Sequence, residues 1–109
     1  MHVTKAELDD LAREHLAKAA TAAHGRSAHA VLRDGRLRHT LMALDTGAVL
    51  GDHDKPESAT LLVLQGSVTV SWDGGEQRVD HGGLFVLPNA VHSARAESPA
   101  VFLLSTIAG

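Results

Sequence analysis

The chain opens with apolar positions at helical spacing. Leu8, Leu11, Ala12, Leu16 and Ala19 recur every three or four residues, and His15 lies on the same stripe, which is the period of one helical face. Thr4 followed by Glu7 forms a capping box, and Val3 can pack on Leu8 across it. Asp9 with Arg13, and Glu14 with Lys18, stand four apart on the polar side, where opposite charges support a helix. Gly25 is the natural stop. The pattern predicts one amphipathic helix over 5–23. Its alanine-rich face needs cover from the rest of the chain or from a second subunit, because a lone helix buries nothing.

Beyond Gly25 the period changes to two. Ser27 to Arg33 leads into Asp34-Gly35, a strong hairpin signal, and then into Arg36 to Leu44. Turn clusters recur at Asp45-Thr46-Gly47, Gln65-Gly66, Asp73-Gly74-Gly75, Asp80 to Gly83 and Glu97-Ser98-Pro99. Between Ser67 and Trp72 the alternation is clean, with Val68, Val70 and Trp72 on one face and Ser67, Thr69 and Ser71 on the other. The run Arg36 to Leu44 is apolar on both faces, Leu37 and Leu41 on one and Met42 and Leu44 on the other. Short strands at this spacing predict an all-β sandwich or barrel. The organisation expected is a single domain over 1–109, a helix within 1–24 and a β-barrel over 25–109.

Composition narrows the chemistry. The 109 residues suffice for one core. The lack of cysteine excludes disulfides, thiolate metal sites and cysteine nucleophiles. Met1 to Asp10 is polar and acidic, unlike a signal peptide, and the longest apolar runs are too short to span a bilayer. A cytoplasmic protein with no membrane partner is expected. The net charge is −3 with scattered basic residues, which argues against a nucleic-acid partner. Trp72, Phe85 and Phe102 are the only aromatic residues. Stacking platforms for sugars or bases are therefore scarce, and without tyrosine there is no His–Tyr proton-transfer pair. Histidine is frequent, at positions 2, 15, 24, 29, 39, 53, 81 and 92.

Two stretches carry a family pattern. The first runs from Gly47 through His53-Asp54-Lys55-Pro56-Glu57-Ser58-Ala59 to Gly66. The second runs from Gly82, five residues, to Pro88 and on to His92. Together they resemble the paired motifs of the cupin superfamily over roughly residues 37 to 107. The first of those motifs is Gly, five residues, His-x-His, three or four residues, Glu, six residues, Gly. The second is Gly, five residues, Pro-x-Gly, two residues, His. The resemblance implies a cupin-like double-sheet β-barrel of jelly-roll type. Within the superfamily the chain is similar to small single-domain cupins with a helical leader, common in actinobacteria. It also implies a mononuclear metal held by three histidines and a carboxylate, and dimerisation through the barrel sheets. Matched to the motifs, His53 takes the first histidine position, Lys55 the second and Ala59 the glutamate. Ala90 replaces the glycine after the proline, and His92 is the remaining histidine, one residue early.

These replacements decide the expected chemistry. Protonated Lys55 has no lone pair to give a cation, Ala59 has no donor at all, and stable transition-metal sites generally take three or more protein ligands. The expectation is a small-molecule-binding barrel that needs no cofactor, its pocket lined by His53, Lys55, Ala59, Val68, Val70 and His92. An inward Lys55 would favour a carboxylate or enolate or act as a base or Schiff-base nucleophile; an outward one would be solvated, as lysine normally is. A divalent transition metal on His53 and His92 stays open, with Glu57 or His39 as a further ligand, since two imidazoles hold Zn²⁺, Ni²⁺ or Cu²⁺ weakly. That alternative is an enzyme of dioxygenase or isomerase type. A third is a structural or regulatory protein whose barrel is filled.

Other candidates are weaker. His15 is expected to pack with its nitrogens at the rim, His29 and His39 to lie at an edge or the surface, and His81 to be solvated in a turn. Ser93 follows His92 directly and so faces the other way along a strand, and no Gly-x-Ser-x-Gly turn exists. Gly74-Gly75 and Gly82-Gly83 are turn glycines, since no helix follows either. A homodimer is expected, with the strand at 36–44 or the one at 100–107 at or near the contact.

Overall fold

A computed structural model describes residues 1–53 and 58–107, with the backbone alone at 52 and 53. Helix α1 spans Lys5–Thr21. Both capping-box bonds form: the Glu7 amide donates to Thr4 Oγ1 at 3.1 Å and the Thr4 amide to Glu7 Oε1 at 3.4 Å. Glu14 and Lys18 pair at 3.8 Å as expected. Asp9 instead takes Lys5 at 2.7 Å, and Arg13 takes Asp10 at 3.0 Å. All are surface pairs, screened by water and adding little to stability. The helix stops two residues short of the expected end, where the Ala22 amide turns back to the Ala19 carbonyl. Gly25 then reverses the chain at φ +66, with Ala48 Cβ 3.0 Å from where a Cβ of its own would lie.

Among the described residues nine strands follow: β1 (Arg26–Asp34), β2 (Leu37–Leu44), β3 (Val49–His53), β4 (Ser58–Gln65), β5 (Ser67–Trp72), β6 (Gly75–Asp80), β7 (Leu84–Val86), β8 (His92–Ala96) and β9 (Ala100–Ile107). They form a five-stranded sheet of order β1-β2-β9-β4-β7 and a four-stranded sheet of order β3-β8-β5-β6. The first hairpin pairs Asp34 with Leu37, so Gly35 and Arg36 are its turn residues, one position later than the Asp-Gly dipeptide suggests.

Alternation places the two inner faces against each other. Met42, Leu44, Ala59, Leu61, Val63, Ala100 and Phe102 from the large sheet meet Val68, Val70, Val79, Ala94 and Ala96 from the small one. Trp72 of β5 and Phe85 of β7 stack across the gap with ring centroids 6.1 Å apart. On the outer face of the large sheet, Leu41, Ala43 and Val101 are fully buried beneath Leu8, Leu11, Ala12, Leu16 and Ala19 of α1. The two faces read in strand 36–44 are thus both used, Met42 and Leu44 for the barrel and Leu41 for the helix. Burying a leucine side chain contributes about 1.5–3 kcal/mol.

Deleting residues 1–24 uncovers this seam. The truncated chain is expected to aggregate or to melt at a clearly lower temperature than the full chain. A soluble truncated chain with an unchanged melting temperature, read by circular dichroism, would show that the cover is dispensable.

Candidate functional site

The frame of the site is set by glycines and a proline turn. Gly47, Gly66 and Gly82 adopt φ of +79, +74 and +84, a region other residues rarely enter. Gly66 is also hemmed in: a Cβ there would lie 2.3 Å from the Pro99 carbonyl oxygen. The Gly82 amide donates to the Val63 carbonyl at 2.7 Å, and the Leu87 amide to the Ala59 carbonyl at 3.0 Å. The two motif stretches are thereby tied together through β4, and the turn at Pro88 is held beside Ala59.

His92 begins β8 with its side chain on the barrel face, in phase with Ala94 and Ala96, and is 2% exposed. Its Nδ1 lies 2.9 Å from the Ala90 carbonyl oxygen. A carbonyl only accepts, so Nδ1 carries the proton, and in the neutral ring the buried Nε2 holds the lone pair. Orientation of an imidazole by a backbone carbonyl is what a histidine serving as acceptor or ligand needs. In the sequence Ala90 reads only as a replaced glycine; the group that orients the ring is its carbonyl, and a backbone group has no sequence signal.

Strand register surrounds His92. On one side it faces Trp72 of β5, and on the other it pairs with His53 of β3, next to a register shift after Leu50. The backbone therefore brings together the two histidine positions read from the motifs. The His53 side chain, Lys55 and Glu57 lie outside the described residues. Ala59 is 2% exposed on the barrel side of β4, an apolar methyl where a carboxylate would project inward. Val70 pairs with Ala94 and Val68 with Ala96, one and two steps deeper than the Trp72–His92 pair. Both valines are fully buried in the core. Val70 forms the level below His92 and Val68 the level below that.

His39 does not join them. It shares the outer face with Leu41, bonds Ser105 Oγ at 2.7 Å through Nδ1, and lines an outer hollow of about 280 Å³ with Met1, Leu32, Arg33, Asp34 and Leu37. The sheet stands between it and the barrel interior, so it cannot supply a ligand beside His92. His81 is exposed in the turn after β6 as expected, and His29 is exposed on β1. His15 departs from expectation: its ring is buried, not at the rim. Among the described residues no group of three or more His, Asp or Glu is placed to hold a metal, and no helix is long and apolar enough to cross a membrane.

No protein-family model matches the chain, and no curated protein matches it. Solved structures do. A cupin superfamily protein from Desulfitobacterium hafniense superposes with a TM-score of 0.71 at 15% identity, over 77% of this chain and 78% of that one. KdgF from Halomonas sp. superposes with a TM-score of 0.66 at 25% identity, over 82% and 85%. A salicylate 1,2-dioxygenase from Pseudaminobacter salicylatoxidans reaches a TM-score of 0.74 at 17% identity, over 90% of this chain and 33% of the enzyme. The protein has the small cupin fold that its paired motifs resemble, with one helix ahead of the two-sheet barrel.

Proposed function

We propose that this barrel binds a small, apolar or weakly anionic molecule at the end marked by His92, and that it works without a tightly held metal. The observation carrying this is the buried, carbonyl-oriented His92, together with a buried Ala59 on the barrel side of β4 that offers no donor. Val70 would floor the site, with Trp72 and Phe85 at its side. His53 pairs with His92 by register, and an inward Lys55, two residues on, would supply positive charge where a metal supplies it in a full cupin site. A ring held this way would orient a hydroxyl or a protonated carboxyl, and a site closed to water would strengthen that bond.

The donor set does not fit a resident transition metal. One of the four positions the family implies is a methyl group and one is a lysine, which leaves two imidazoles. The salicylate dioxygenase favours the alternative of a metal-dependent enzyme through its fold alone. A filled barrel with a structural role has one observation of its own, the complete burial of Leu61, Val68, Val70 and Phe102.

The protein is further proposed to act as a homodimer. The outer face of the large sheet carries a row of leucines in register, Leu41, Leu103, Leu62 and Leu84. The helix buries Leu41, but Leu84 at the other end is 68% exposed and Val86 beside it 64%. A second copy meeting this face near β9 and β7 would complete the cover.

Native mass spectrometry of protein purified without an affinity tag reads these points together. The expected spectrum is a dimer with less than one transition-metal ion per chain. One ion per chain, lost in the His53→Ala and His92→Ala double variant, would overturn the metal-free reading. A monomer at tens of micromolar would overturn the pairing.

A further inference from the structure

The helix seam holds a titratable group that the barrel site does not use. His15 is 4% exposed, between α1 and the large sheet, on the stripe that also carries Ala12 and Ala19. Its Nδ1 meets Ser27 Oγ on β1 at 2.6 Å, and its Nε2 is buried with no hydrogen-bond partner. Charged and titratable neighbours come from both elements: Glu14 and Lys18 on α1, and His29 on β1, whose ring centroid is 5.3 Å away. Glu14 Oε2 lies 3.7 Å from Nε2, beyond hydrogen-bond reach, and its other oxygen is 3.8 Å from Lys18 Nζ. In the doubly protonated ring Nδ1–H would donate to Ser27 Oγ, while Nε2–H would meet only a half-exposed, shared carboxylate beyond bonding distance.

We propose that His15 is a pH-sensitive clasp: its neutral ring seals α1 onto β1, and its protonation frees the helix from the sheet. Burial is the main cause that holds the docked ring below the ordinary histidine value of 6.5; Lys18 and, less, His29 add to it, and Glu14 opposes. The sign follows from linkage. Well above 6.5 both docked and released rings are neutral, and docking is at full strength. As pH falls below 6.5 the released ring takes up a proton that the docked ring refuses, so docking weakens until the docked ring itself titrates. Release uncovers Leu41, Ala43 and Val101, an apolar surface that drives association. The clasp stands independently of any ligand or metal in the barrel.

The test is nuclear magnetic resonance of the full chain. It follows the His15 ring through a pH titration and compares amide-exchange protection, corrected for intrinsic rates, in α1 and β5. Between about pH 7.5 and 5.5, the range histidine governs, α1 protection is expected to fall several-fold more than β5 protection. The ring should inflect below 6.5. His15→Leu should flatten the dependence of α1, and His81→Gln, in an exposed turn, should keep it. An inflection at or above 6.5, an equal loss in α1 and β5, or an unchanged dependence in His15→Leu would each overturn the clasp. The wild-type titration decides the matter even if His15→Leu fails to fold.

Discussion

The structure depends on β2 and β9 being buried on both faces. Leu41 to Leu44 are all buried, and Ala100, Val101 and Phe102 are fully so. A strand with two apolar faces belongs in the middle of a layered structure, and here the layers are the small sheet on one side and α1 on the other. The helix is thus a third layer of the core, over the large sheet that forms one wall of the barrel, and the small sheet opposite carries His92 on β8.

The site follows from that frame. Positive-φ glycines and the Pro88 turn fix the backbone of both motif stretches, and the turn presents the Ala90 carbonyl to His92. Against the full cupin motifs, the sequence has Lys55 and Ala59 in place of an imidazole and a carboxylate, Ala90 in place of a glycine, and His92 one residue early.

Much of this was legible in the sequence because it is local. The capping box, the hairpin at Gly35 and the alternation of Val68, Val70 and Trp72 depend on near neighbours, and each appears within a residue or so of its expected place. The side of the sheet taken by His39 was not legible. Strand 36–44 is apolar on both faces, so period two separates Leu41 from Met42 without saying which one meets the barrel. His15 shows the same limit. Its place on the helical stripe was evident, but Ser27 reaches its ring only once β1 docks on α1.

The central claim is that an intact cupin frame lacks a tight metal site because of two side chains. Thermal melting of the Lys55→His, Ala59→Glu double variant, with and without Zn²⁺ or Ni²⁺, tests it most directly. A glutamate at the buried position 59 should destabilise the apo protein, since an unpaired carboxylate in a core is costly. Added metal should restore or raise the melting temperature, because a ligand that binds only the folded state stabilises it. The wild type should respond little. A folded variant that gains no more from metal than the wild type does would contradict the account.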